Sequence, residues 1–164
     1  ANGTNCPQQT VSCTAACSAA SIVVGQTYIA VKIAQTARSS TTTLTADPAL
    51  SLTSLPNGRY AVDYMLQTSA GAGGFSHQLS GGSSGGGFAV RTCNGAALAL
   101  RSWGLGVPDP CAGGADLYEA RGSLVVAGGA PAIEIRWAQN SSNVAATALD
   151  GANTPSYLRI TRMQ

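Results

Sequence analysis

Charge is the scarcest ingredient of this 164-residue chain: Asp, Glu, Lys and Arg together make up 10% of it, against about 25% in an ordinary globular domain. Eight arginines and one lysine, Lys32, face seven acids and leave a formal net charge of +2. That balance is too weak to follow a phosphate backbone, so nucleic acid is not an expected partner. Apolar runs are short as well. None approaches the ~20 residues needed to cross a bilayer, and no membrane partner is expected. The first residues, Ala1 to Pro7, are polar and carry neither a basic nor an apolar signal region, so a signal is expected either to have been removed or never to have existed. Histidine occurs once, at His77. A Ser-His-Asp triad would have to use it, yet it sits among glycines. His77 therefore reads as a solvated loop residue, and catalysis is not expected.

Glycine, alanine, serine and threonine take the place of the missing charge, with 20 Gly in all. A surface built of hydroxyls and small side chains suits close, dry contact with neighbours more than a solitary life in water. At this length a single domain can bury a real core.

Five cysteines, Cys6, Cys13, Cys17, Cys93 and Cys111, leave at least one thiol free or paired between chains. Cys13 and Cys17 form a CxxxC without a matching second pair, so a zinc site is weakly supported and disulfides are the expected use. Cys93 and Cys111 flank a turn-rich segment and could close a loop. No cofactor is expected.

Residues 1–26 contain little that could form a core and read as an N-terminal arm, with 27–164 as the folded domain. From Thr27 the pattern is of short strands separated by turns. Tyr28 and Ala30, with Lys32 in phase, share one face, and Ile29, Val31 and Ile33 the other. Pro56-Asn57-Gly58 is a turn signal, since Asn-Gly tolerates positive φ. Period-two alternation then places Tyr60, Val62, Tyr64 and Leu66 on one face of a half-buried strand. The Gly71–Gly87 tract reads as loops with at most one thin strand, and Gly104–Pro110 as irregular. Further alternation runs through Tyr118–Leu124, through Ile133, Ile135 and Trp137, and through Leu158 and Ile160. Tyr60, Val62, Tyr64, Leu66, Ile133, Ile135, Trp137, Leu158 and Ile160 are the expected core. No window shows a helical period, and the fold class is all-β: a β-sandwich of the jelly-roll kind with about 8–10 short antiparallel strands.

Three stretches carry a family resemblance. They are Leu55–Val62, the run Ile133-Glu134-Ile135-Arg136-Trp137-Ala138-Gln139-Asn140-Ser141-Ser142-Asn143, and the closing Ser156-Tyr157-Leu158-Arg159-Ile160-Thr161-Arg162-Met163, with Tyr118–Leu124 fitting as well. Over residues 45–164 the chain resembles tailed-bacteriophage virion structural proteins whose jelly roll is similar to the tumour-necrosis-factor and complement globular heads. The resemblance implies a homotrimer on a virion surface, assembled in the host cytoplasm, with the major capsid protein or other virion subunits as partners. It does not reach the arm. Ala61 and Ala138, opposite the aromatic faces, would allow neighbouring chains to approach closely.

Three functions are therefore weighed. The first is a non-enzymatic capsid decoration (cement) protein, with arm cysteines available to lock the lattice. The second is the receptor-binding tip of a tail fibre, whose exposed contacts would be Trp103, Phe75 and His77 beside the glycine-rich tract. The third is a secreted complement-like binding module. Glu119 and Glu134 alternate with core residues and read as sheet-face charges partnered by Arg121, Arg136 or cross-strand neighbours, not as a glycosidase pair. The Gly71–Gly87 tract lacks the GK[ST] ending of a phosphate loop.

Overall fold

The computed structural model describes residues 25–70, 72–92, 99–111, 114–128, 132–151 and 155–163. The arm and Cys6, Cys13, Cys17 and Cys93 lie outside the described residues. Among the described residues there are twelve strands: β1 (Thr27–Val31), β2 (Thr36–Arg38), β3 (Thr45–Leu52), β4 (Gly58–Ala70), β5 (Phe75–Ser80), β6 (Ser84–Arg91), β7 (Ala99–Gly104), β8 (Asp109–Cys111), β9 (Gly114–Val126), β10 (Ile133–Ala138), β11 (Thr147–Leu149) and β12 (Tyr157–Arg162). There is no helix among the described residues. The strands form two sheets, an eight-stranded one running β1-β12-β4-β9-β6-β7 with β11 also paired to β4 and β2 to β11, and a four-stranded one running β3-β10-β5-β8. Every pairing is antiparallel. The protein is a β-sandwich.

Alternation explains the long strands. β4 and β9 pair along their whole length, from Gly58 opposite Val126 to Ala70 opposite Gly114. Tyr60, Val62, Tyr64 and Leu66 point inward, and Tyr118, Ala120 and Leu124 meet them. From the smaller sheet, Ile133, Ile135 and Trp137 face this layer, while Leu158 and Ile160 of β12 extend it. All nine expected core residues are at most 2% exposed.

The strand count exceeds the expected 8–10 because β2, β8 and β11 have three residues each, too few to show a period. The glycine-rich tract is not loop. It holds β5, whose Phe75, His77 and Leu79 alternate inward, and β6, which is hydrogen-bonded to β7 and β9 on its two sides. Its tight turn uses Gly81 at φ +92, where an added Cβ would lie 2.2 Å from Ala132 O. β8 lies inside the stretch expected to be irregular. Its Pro110 is tolerated because β8 is the edge of the small sheet and pairs with β5 alone. The turn before β4 forms as expected, but Ser54 takes the left-handed conformation at φ 58, and neither Asn57 nor Gly58 does.

Lys32, just after β1, is buried on the same side as Tyr28 and Ala30. Its ammonium donates to Asp47 Oδ2 at 2.9 Å with the two side chains 2% and 0% exposed. Trp137 Nε1 donates to the same oxygen at 3.1 Å, the Thr36 hydroxyl at 3.2 Å, and the Ala49 amide to Oδ1 at 3.0 Å. Burial pushes the Asp47 carboxyl up, but the hydrogen bonds from Lys32 and Trp137, the Lys32 charge and the Ala49 amide outweigh it and hold the pKa below the ordinary value. Above this group Arg38 stacks 4.1 Å from the Trp137 ring centroid and bonds Trp137 O, Thr45 O and Ala46 O.

Candidate functional site

Trp103, Phe75 and His77 are not surface contacts. They are 9%, 3% and 2% exposed respectively. Trp103 lies inside because Gly122 has no side chain, and the indole edge sits in the space that a Cβ there would take, 2.7 Å from it. Its Nε1 donates to Arg121 O at 3.1 Å. Phe75 and His77 point inward from β5, stacked on each other at 5.4 Å, with Phe75 5.7 Å from Trp137 and His77 4.1 Å from Tyr118. Ala138 is also buried, at 0%, rather than on an open face. The amide that follows it, Gln139 N–H, donates to Thr41 O, so the segment before β3 lies along this end of β10.

Around His77 a polar cluster joins the two sheets. Arg91 of β6 pairs with Asp109 of β8 and also bonds Pro110 O at 2.9 Å. Burial, and then the nearby Arg91 charge, lower the His77 pKa from 6.5 to about 3, so this imidazole is neutral in the fold. Burial raises the Tyr118 hydroxyl to about 12. Cys111, opposite Phe75, is disulfide-bonded, with its partner sulfur outside the described residues.

The neutral histidine makes stability depend on pH. Unfolded, His77 takes up a proton below about 6.5; folded, it does so only near 3. The unfolded state therefore binds more protons in that window, and stability falls as pH drops from 6.5 towards 3, by at most about 1.4 kcal/mol per pH unit for one proton. Urea unfolding at pH 7, 6 and 5 should show this slope, and His77→Gln should flatten it; an equal slope in the variant would assign the effect elsewhere. The depressed Asp47 carboxyl adds acid lability of the same direction, but only below the ordinary carboxylate range.

What does reach solvent is the outer face of the large sheet, and the register orders it into rows. One row runs Ile29, Arg159, Asp63, Arg121, Phe88, Ser102, and the next Val31, Tyr157, Met65, Glu119, Val90, Leu100. A third is made of small residues: Thr27, Thr161, Ala61, Ser123, Gly86 and Gly104. The middle of the face is ionic and self-compensated. Arg159 pairs with Asp63, which also accepts from the Tyr157 hydroxyl at 3.2 Å, while Arg121 and Glu119 stand beside them on β9. The two ends are apolar: Ile29 and Val31 are 55% and 45% exposed on one side, Phe88 and Leu100 67% and 72% on the other. At the β1 end Ile29, Val31, Pro155, Tyr157 and Arg159 line a shallow depression of about 220 Å³.

Sequence reading separated Ile29 and Val31 from Tyr28 correctly but did not single out Phe88, Val90 or Leu100. Their signal is apolar residues alternating with small ones, Phe88-Ala89-Val90, and it is obscured by the glycines before it. Glu134 bonds Arg136 Nε at 2.7 Å, one of the partners expected for it. Among the described residues no group of three or more His, Cys, Asp or Glu is placed to hold a metal.

No protein-family model matches the chain, and no curated protein matches it. Among solved structures it is similar to a chain in the structure of infectious bursal disease virus, Gx strain, with a TM-score of 0.24 and 8% identity over 94% of this chain and 41% of that one. This chain thus spans about two-fifths of the length of that protein.

Proposed function

We propose that this protein is a non-enzymatic structural component of a virion, a phage capsid decoration protein that works as a homotrimer seated on the capsid shell. The observation that carries the reading is the outer face of the large sheet: exposed aliphatic and aromatic side chains at two opposite ends, a neutral ionic centre between them and a row of small residues alongside. Solvated sheet faces carry charge at such positions, and contiguous exposed apolar groups mark contact with another protein. Because the two apolar ends differ in sequence and lie on opposite sides, contact between the β1 end of one copy and the β6–β7 end of the next is heterologous, and heterologous contacts that close make rings. The connectivity supports the jelly-roll reading, since the first strand pairs with the last and the chain alternates between the sheets from β3 to β6 and again from β9 to β11. A single histidine sealed among aromatic rings supports a role without catalysis. The fibre-tip alternative needs Trp103, Phe75 and His77 at the surface, where they are not.

Light scattering on the purified full chain is expected to give three times the 16.4 kDa chain mass. Leu100→Asp or Val31→Asp, each adding a charge to an apolar end, should reduce that mass to one chain without unfolding it. A wild-type mass of one chain at micromolar concentration overturns the trimer. In purified particles the protein should stain as abundantly as a lattice component; a scarce band would favour the tip. Reducing against non-reducing gels of the same particles test whether Cys6, Cys13 or Cys17 link chains.

A further inference from the structure

The long path of the large sheet ends in two strands that each have one partner: among the described residues β1 pairs with β12 alone and β7 with β6 alone. The Lys32 amide donates to Ser156 O, so the even-numbered residues of this strand turn their backbone groups to β12. Thr27, Ile29 and Val31 turn theirs outward. At the other end the Leu105 amide donates to Gly85 O. Odd-numbered residues of β7 therefore face β6, and Leu100, Ser102 and Gly104 face away. Beside them, between β7 and residues 107–110, runs a groove of about 440 Å³. Open edges invite pairing with another chain, and proteins blunt them with proline or charge. The small sheet does so, since its edge strands β3 and β8 carry Pro48 and Pro110. β1 has neither proline nor charge, and β7 has no proline.

We propose that β1 of one copy pairs with β7 of the next, with Val31 opposite Leu100, Ile29 opposite Ser102 and Thr27 opposite Gly104. The occupant of the groove is thus a second copy of this chain, and the pairing rests on the reading that copies meet through these two ends. Direction fits first. The path holds six strands, each antiparallel to its neighbour, so β1 and β7 run oppositely and copies set side by side present an antiparallel pair. Register fits next, because this alignment carries all three outer rows across the junction without a shift. It also opposes the residues whose backbone groups face out. Val31 with Leu100, and Ile29 with Ser102, can each exchange two hydrogen bonds. Gly104 N–H can donate to Thr27 O, while its own carbonyl already accepts from Val107 N at 3.1 Å. The side chains agree as well: exposed Val31 lies beside exposed Leu100, and Thr27 beside a glycine. A slip of one residue would lose every one of these matches.

Ser102→Pro in the full chain separates strand pairing from mere side-chain contact. The Ser102 N–H faces away from β6, so proline there removes no rung of the sandwich, and little apolar surface is lost. The variant should stay folded by circular dichroism and fall from three chains to one by light scattering. In the wild type, the Ile29 amide should exchange with deuterium about a hundredfold more slowly than in Leu100→Asp, and the Ser102 amide about a hundredfold more slowly than in Val31→Asp. A wild-type trimer in which these amides exchange freely, or a Ser102→Pro chain that remains a trimer, leaves the trimer standing and overturns the pairing. A wild-type mass of one chain overturns both. A mass of two chains with only the β1 amides protected means that β1 pairs with its own copy, and it too overturns the proposal. Should Ser102→Pro fail to fold, exchange in the wild type decides.

Discussion

Lys32→Met is expected to destabilise the protein by about 3–5 kcal/mol, the cost of stranding one member of a buried ion pair. The methionine matches the stem in length, so packing is largely kept, while the Asp47 carboxylate loses its counter-charge at a site with 0% exposure. Trp137 and Thr36 still donate to it, but neutral donors do not replace an ammonium. Against a total of about 5–15 kcal/mol for a domain, this loss is large. The double variant Lys32→Met with Asp47→Asn should recover part of it, because the remaining amide oxygen can still accept from Trp137 without carrying charge. Urea unfolding of the three proteins measures both effects, and a single-variant loss below about 1 kcal/mol would mean that the pair is solvated. The pH sign follows from the lowered Asp47 pKa. The pair's contribution is full above the ordinary carboxylate value and is lost as pH falls through the lower folded one.

The second large effect belongs to a glycine. A Cβ at Gly122 would lie 2.3 Å from Gly86 O and 2.7 Å from Trp103 Cζ2. Neither neighbour can retreat easily: the carbonyl is part of β6, and the indole is pinned by its bond to Arg121 O. Gly122→Ala should therefore cost about 3 kcal/mol, the upper end for overpacking, and lower Tm by about 6–12 °C in a domain of this size. Ser123→Ala, one residue along and exposed, is the control and should change Tm little. Equal melting of the two variants would show that β6 and β9 can separate there.

Both effects fall where the sequence is hardest to read. The core strands were legible because Tyr60, Val62, Tyr64 and Leu66, or Ile133, Ile135 and Trp137, announce a two-residue period with large side chains. β6 was not, since Gly85, Gly86 and Gly87 have no side chains with which to show alternation, and its strand character comes from hydrogen bonds to β7 and β9. Glycines near them in sequence, Gly104 and Gly106 for Trp103 and Gly73 and Gly74 for His77, misplaced both rings. A residue beside glycines reads as exposed, whereas in the fold the Trp103 ring lies against Gly122, which is distant in sequence. For Lys32 the face was legible but the ion pair was not, because the partner that makes its burial tolerable is 15 residues away at Asp47, a distance no local pattern spans. Of the candidate interaction face, the β1 half was visible as Ile29 and Val31 on one side of a strand. The opposing Phe88, Val90 and Leu100 became a patch only once the register aligned them.

The pairing of β1 with β12 has a mechanical consequence. Gly25 N bonds Arg162 O at 2.8 Å, so the chain enters β1 and leaves β12 at the same corner of the sheet. A pulling force applied between these two points loads the ladder one rung at a time, peeling the strands apart like a zipper. The sandwich should thus yield at low tension when stretched between residues 25 and 163, yet resist far better when held through the first residues of β4 and β9, which lie at opposite ends of a 13-residue ladder that would have to slide as a whole.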